Sequence, residues 1–317
     1  MNTALPTYVL INPASRSGYS VRVWEQVRPM FEERGVKAKI LFSRRDSGMT
    51  TLVRDVTESG EEVNLIAMGG DGTLNEVING IRDFSKVYLG YIPTGSSNDY
   101  ARSIGTEDPV EAAKRILECG EPVMADLGEM SYLEEATKTW HRRYFNDANG
   151  FGFDAASCAA VDASHIKKLF NALHIGKLVY IFVAIRLIMT SRLCSFELSI
   201  KNGGTTEHFK YKKALFIVCM NYAYEGGGFQ FCPDADGTDG KFDIMVAADV
   251  GRLRFFRIFP RAYDGSHTHM SGIEIKQAEQ AVIRVDEPQF FHTDGEASVK
   301  TREIMVKLRP GLVRWLR

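Results

Sequence analysis

The chain has 317 residues, 44% of them hydrophobic and 25% charged, enough to bury a substantial core and to form two domains rather than one. Its 39 basic and 40 acidic side chains leave a net charge of −1, so there is no global attraction to nucleic acid and no nucleic-acid partner is expected. Five cysteines, Cys119, Cys158, Cys194, Cys219 and Cys232, are odd in number and lack a C-x-x-C pair, which fits buried thiols in a reducing compartment and not a disulfide framework or a zinc site.

Met1 to Pro6 carries no basic segment followed by an apolar core, and a cytoplasmic protein is expected. Tyr8 to Asn12 reads as a strand, Pro13 to Gly18 as a polar turn, and Val23, Val27, Met30 and Phe31 as one face of a helix that Pro29 should kink or split. Lys37 to Phe42 reads as a second strand, Met49 to Val56 as a helix, and Val63 to Met68 as a third strand. That strand delivers Gly69-Gly70-Asp71-Gly72-Thr73, after which Leu74, Val77, Ile78 and Ile81 have helical spacing. Glycines around one carboxylate, between a strand and a helix start, let the backbone approach an anion and present amides to it; a plain tight turn is the alternative. Val87 to Ile92 is a further strand, ending in Pro93 to Arg102, where Ser97 is placed to cap the next helix. Such strand–helix alternation indicates a parallel sheet flanked by helices.

Beyond Pro122 the pattern changes to β-rich stretches, among them Arg143–Asn146, Phe196–Ile200, Ala214–Met220, Phe242–Ala247, Ala281–Val285 and Ile304–Leu308. Helices are expected near Asp154–Ala163, Ile166–Ser191 and Arg252–Tyr263. A mainly antiparallel second domain follows, with a boundary near Asp126 to Met130. The most apolar run, Leu178 to Met189, is too short to span a bilayer and carries Arg186. With Lys167, Lys168 and Lys177 around it, it reads as an amphipathic helix that packs in the core, with membrane docking as the lesser reading. His165, His174, His267, His269 and His292 match no zinc spacing, and His267-x-His269 reads as surface loop.

In this order the motifs resemble the diacylglycerol kinase catalytic family, relatives of sphingosine and ceramide kinases. The resemblance spans nearly the whole chain: Asn12-Pro13 with Ser15 and Gly18; Gly69 to Glu76; Pro93 to Asp99; Asn149 to Gly152; Gly226 to Gly228 before Pro233; Asp239 to Asp243; and Asp294-Gly295-Glu296. Ser96 stands where the family pattern has Thr, and Ser43 where many relatives have Thr; both keep the hydroxyl. The resemblance implies an N-terminal Rossmann-like α/β nucleotide-binding domain over residues 1–128, as in NAD kinase and phosphofructokinase-like folds. It implies a C-terminal antiparallel β-sandwich domain over residues 129–308, a tail 309–317 that packs back on the first domain, and an active site in the cleft.

It further implies transfer of the γ-phosphoryl group of ATP to a lipid alcohol, diacylglycerol foremost, with Mg²⁺. Such transfer needs held phosphates, a metal that neutralises charge and a base for the hydroxyl proton. By resemblance the nucleotide contacts are Asn12, Pro13, Ser15, Ser43, Gly69, Gly70, Asp71, Gly72, Thr73, Asn75, Glu76, Thr94, Gly95, Ser96 and Asn98. The catalytic candidates are Glu296, then Asp294, then Asp71, which either meets metal or orients the acceptor. The Asp-Gly dipeptide at 294–295 is by itself an ordinary hairpin turn. Asp239, with the carbonyls of Phe242 and Ile244, is the implied structural Mg²⁺ site, and a solvated acidic turn is the alternative. Expected partners are a lipid at the membrane surface, with peripheral contact there, and a homodimer is left open. The rival readings are an NAD kinase-type phosphotransferase and a non-catalytic lipid or nucleotide sensor.

Overall fold

The computed structural model describes residues 1–44, 48–134, 137–152, 155 and 193–317. Apart from Ala155, the helices expected near 154–163 and 166–191 lie outside these residues, and with them Lys167, Lys168, Lys177, Arg186, His165, His174 and Cys158.

The first half alternates β1 (Thr7–Ile11), α1 (Tyr19–Glu33), β2 (Ala38–Phe42), α2 (Gly48–Val56), β3 (Val63–Gly69), α3 (Asp71–Gly80), β4 (Val87–Pro93), α4 (Asp99–Ser103) and α5 (Pro109–Glu118). The four strands are parallel, in the order β2-β1-β3-β4. All seven residues of β3 are buried, as a strand covered on both faces requires. Val9, Ile11, Ile66 and Met68 point to one face, against Val23, Trp24, Val27 and Phe31 of α1. Leu10, Leu65 and Ala67 point to the other, against Val53 of α2 and Val77 and Ile78 of α3. Period-2 strands thus meet period-3.6 helices, and each buried aliphatic side chain contributes about 1.5–3 kcal/mol.

Helix α1 is not split at Pro29; it runs unbroken for 15 residues. Pro29 lies on its exposed face, so the carbonyl that loses its amide partner can turn to water.

The second half is β5 (Val123–Glu134), β6 (Thr139–Phe145), β7 (Ala148–Gly152), β8 (Cys194–Asn202), β9 (Thr205–Met220), β10 (Tyr224–Glu225), β11 (Phe229–Gln230), β12 (Phe242–Ala248), α6 (Arg252–Ile258), β13 (Ile273–Ala278), β14 (Gln280–Thr293) and β15 (Glu296–Trp315). Their pairings are antiparallel. The stretch 126–130 lies inside β5, which is paired with β15 over most of its length. Instead of the short strand expected at 304–308, β15 runs for 20 residues and pairs in parallel with Tyr88 and Leu89 of β4 at Arg314 and Trp315. The buried Trp315 stacks on Tyr100 of α4 at 4.7 Å. One strand therefore begins at Glu296 and ends in the core of the α/β half.

His267 is no surface residue. It is 1% exposed, with Nε2 on the Phe231 carbonyl at 3.2 Å, and burial depresses its pKa. Cys119, Cys194, Cys219 and Cys232 are buried and none of them is in a disulfide. Among the described residues no helix is long and apolar enough to cross a membrane.

Candidate active site

The loop between β3 and α3 is held from three sides. Asn12 N–H donates to the Met68 carbonyl at 3.0 Å, and Asn12 Nδ2 to Thr73 Oγ1 at 3.0 Å. Thr94 N–H donates to the Gly69 carbonyl at 2.7 Å. Gly70 and Gly95 meet backbone to backbone: a Cβ on Gly95 would stand 2.3 Å from the Gly70 Cα. Helix α3 begins at Asp71, so the amides of its first turn have no intrahelical acceptor and, with the helix dipole, favour an anion.

Several motif residues hold the frame. Thr94 is fully buried, with Oγ1 2.6 Å from Ser20 Oγ and its carbonyl accepting from Ser15 Oγ at 2.8 Å. Glu76 accepts the Met49 amide at 2.8 Å and anchors α2. Ser43 is half-buried, its amide on the Ile11 carbonyl at 2.9 Å; Pro13 and Ser96 are exposed. Ser97 does not cap α4: the N-cap is Asn98, left-handed at φ 53°, whose Oδ1 accepts the Gly95 amide at 2.8 Å. That closure pulls the turn back on itself before the helix starts, leaving Ser97 outside the cap position.

The opposing wall comes from β14, β15 and β6. Asp294 and Gly295 both have positive φ, 48° and 77°, and form the two-residue turn between Thr293 and Glu296. The Asp294 carboxylate is saturated. Oδ1 accepts the amides of Asp147 and Ala148 at 2.8 and 3.0 Å, and Oδ2 accepts the Asn146 amide at 2.9 Å and Asn75 Nδ2 at 2.6 Å. Glu296 instead lies over the glycine loop, where a Cβ on Gly72 would be 3.1 Å from its Oε1. Its Oε2 accepts from Arg143 Nη2 at 2.5 Å, and the same nitrogen donates to Asn75 Oδ1 at 2.6 Å. Burial raises the Glu296 pKa and Arg143 works against that rise.

Asp71 faces other carboxylates. Burial first, and the charge of Asp99 second, push its pKa from 3.8 to about 7. Asp99 is itself raised by burial; its Oδ2 accepts the Gly227 amide at 2.8 Å from the β-rich half. The structure thus brings Asn12, Gly69 to Thr73, Gly95, Asn75, Asp294 and Glu296 to one cleft. Asp239, Phe242 and Ile244 are elsewhere.

Two sequence models of known families match the chain. Residues 6–130 match the diacylglycerol kinase catalytic domain, and residues 149–317 match the YegS C-terminal NAD kinase beta sandwich-like domain. The chain belongs to the diacylglycerol kinase catalytic family. A diacylglycerol kinase of Bacillus subtilis (strain 168) is 28% identical to this kinase-family chain over 298 residues, 91% of this chain and 88% of its own length. The crystal structure of a diacylglycerol kinase from Bacillus anthracis str. Sterne shares the fold with a TM-score of 0.66 at 18% identity, covering 98% of this chain and 96% of that one. Yeast NADH kinase complexed with NADH shares it more distantly, with a TM-score of 0.51 at 9% identity and 98% and 82% coverage.

For this family member the metal sites inferred from sequence fare differently. Asp239 is exposed and its Oδ1 accepts the Lys241 amide at 2.8 Å, while Asp236 accepts the Thr238 amide and hydroxyl. Asp126 accepts the amides of Gly240 and Gly311, both at 2.7 Å. Phe242 and Ile244 lie in β12, with Ile244 paired on both edges. Backbone amides of the protein thus meet both Asp239 and Asp126 in this acidic turn.

Arg143, Asn79 and Asp147 are absent from the motif-based set. Asn79 Oδ1 accepts the Tyr144 amide at 2.9 Å, fastening α3 to β6. Asp147 is buried and its pKa is driven well above the carboxylate range, chiefly by burial. In sequence Arg143 is one of two adjacent arginines in a β-rich run, and only the β5–β6 register turns it to Glu296.

Proposed function

We propose that the protein is an ATP-dependent lipid kinase that transfers the γ-phosphoryl group to the hydroxyl of a lipid alcohol, diacylglycerol foremost, yielding phosphatidic acid and ADP. The observation that carries this reading is the placement of Glu296 over Gly72, with its other oxygen on Arg143. The amides at the start of α3, backed by Asn12 and Thr73, cradle the phosphates, and Glu296 accepts the proton of the attacking hydroxyl. The hydroxyl oxygen bonds to the γ-phosphorus as the bond to the β–γ bridging oxygen breaks. A base with a raised pKa takes that proton more readily.

Asp71 is the residue that would hold Mg²⁺ carried with the nucleotide, whose charge would stabilise the transferring phosphoryl group. Asp294 positions the hairpin and Asn75; its oxygens are occupied by four donors, which favours Glu296 as the proton acceptor.

A lipid acceptor must be taken from a membrane or micelle surface. Trp140 on β6 is 49% exposed, beside the exposed Arg142, three residues from the Arg143 that reaches Glu296. An aromatic–basic strand of this kind suits an interface, and it supports lipid entry from the β6 side.

Purified protein with Mg²⁺-ATP, radiolabelled at the γ-phosphate, is to be offered diacylglycerol in mixed micelles and, separately, NAD. Label in phosphatidic acid is expected. Label in NADP alone assigns the NAD kinase-type alternative, and label in neither, together with an inert Glu296→Gln in cells, assigns a sensor.

A further inference from the structure

A second cavity, of about 460 Å³, lies apart from the cleft and is lined by residues of both halves, among them Ser103, Thr106, Arg115, Tyr222, Asp236 and Arg317. Ser103 ends α4, Arg115 belongs to α5, and Arg317 follows β15. We propose that this cavity binds a small phosphate monoester of a polyol, with Arg115 and Arg317 on the phosphate and Asp236 facing the hydroxyls.

One unengaged donor, Arg317, points to a ligand. Tyr222 is 4% exposed and lines the cavity with its phenol ring against Tyr100. The rings of Tyr222 and Tyr100 pack edge to face, with centroids 5.1 Å apart. Arg317 makes no hydrogen bond or ion pair among the described residues, although its charge is felt by Tyr222 and Tyr100.

Arg115 is oriented already: Nη1 donates to Thr106 Oγ1 at 3.1 Å and Nε to Glu111 Oε1 at 3.3 Å. A guanidinium fork held this way matches phosphate oxygens in pairs. The lining side chains include two guanidinium groups and one carboxylate. The Asp236 carboxylate is engaged with Thr238 through Oδ1, so Oδ2 is the oxygen available to a ligand hydroxyl. The cavity exceeds what inorganic phosphate alone would fill, and its size is that of an ordinary small-molecule pocket.

Phosphate also suits the start of α3, so the test keeps the two sites apart. Calorimetric titration of the full chain with glycerol 3-phosphate is run with the cleft saturated by Mg²⁺ and a non-hydrolysable ATP analogue. One binding event is expected, weakened about tenfold in Arg317→Gln and in Arg115→Gln and less in Tyr222→Phe. Melting of each variant without ligand checks its fold, and should Arg115→Gln fail to fold, Arg317→Gln and Tyr222→Phe decide. Phosphatidic acid vesicles form a second arm: Arg317-dependent binding of vesicles alone assigns a lipid headgroup, and binding of glycerol 3-phosphate assigns a soluble ester. Loss of the event when the ATP analogue is present, equal affinity in wild type and Arg317→Gln, or no binding in either arm overturns the proposal. The Arg317 comparison does not depend on kinase activity, so its outcome is separate from that of the proposed function.

Discussion

Arg143 joins Glu296 at 2.5 Å to Asn75 at 2.6 Å through a single nitrogen, so one guanidinium ties the start of β15 to the helix that follows the glycine loop. Burial raises the Glu296 pKa, and Arg143 is the largest influence holding it down. Removing the cation therefore raises it further. Arg143→Gln should lower kcat by roughly 10–100-fold and move the acid limb of the kcat/KM profile to higher pH. Full activity with an unmoved acid limb would show that the pair has no part in proton transfer.

Asp71 supplies a pH dependence of stability with a definite sign. Its folded pKa of about 7 lies above the ordinary 3.8, so the folded state holds this proton more tightly than the unfolded chain. The associated stability is complete below the unfolded pKa and is lost as pH rises through about 7. Asp71→Asn should match wild type in acid and exceed it at pH 8 by about 1–3 kcal/mol. Chemical denaturation across this range is the measurement; a wild type that gains on the variant as pH rises would contradict the assignment.

The two carboxylates of the β14–β15 turn should separate by variant. Asp294 takes three backbone amides and the Asn75 amide, and Asn in its place would turn N–H groups toward donors. Asp294→Asn is expected to destabilise by about 2–4 kcal/mol, with activity falling alongside. Glu296→Gln should leave the melting temperature near that of wild type while kcat collapses. Equal destabilisation by the two changes would remove the distinction between anchor and base.

Contact between Gly70 and Gly95 leaves no room for a side chain. A Cβ at Gly95 would stand 2.3 Å from the Gly70 Cα and 2.8 Å from Asn98 Oδ1, both on fixed elements. Gly95→Ala should push the two loops apart, raising KM for ATP by about tenfold or more at little change in lipid KM. Unaltered nucleotide affinity would mean that the loops do not form one phosphate cradle.

Much of the α/β half was legible because strand and helix periods alternate cleanly there and glycine-rich turns mark the strand ends. Local pattern failed where distant contacts decide. Pro29 is tolerated because it faces solvent, and β15 is long because its Trp315 end finds a slot beside Tyr100 in the other half. His267 looked like a surface residue from its Ser, Thr and Gly neighbours, but the Phe231 carbonyl draws it inward. At the site, the motifs located both walls and missed their connection. Nothing local marks Arg143, since a pleated strand alternates faces and only pairing with β5 selects which arginine turns inward. Asn75 and Thr94 belong to ligand motifs, yet their polar groups are spent on Asp294, Arg143, Ser15 and Ser20.

The central claim is that Glu296 accepts the proton of a lipid hydroxyl above the glycine loop. Single-turnover transfer from Mg²⁺-ATP to diacylglycerol in mixed micelles, compared between wild type and Glu296→Gln with nucleotide affinity measured in parallel, tests it most directly. The expected result is phosphatidic acid formed by wild type, a rate about 10²–10⁴-fold lower in the variant, and unchanged nucleotide binding. Equal rates in the two proteins, or no transfer to lipid by wild type under conditions where it binds ATP, would contradict the account.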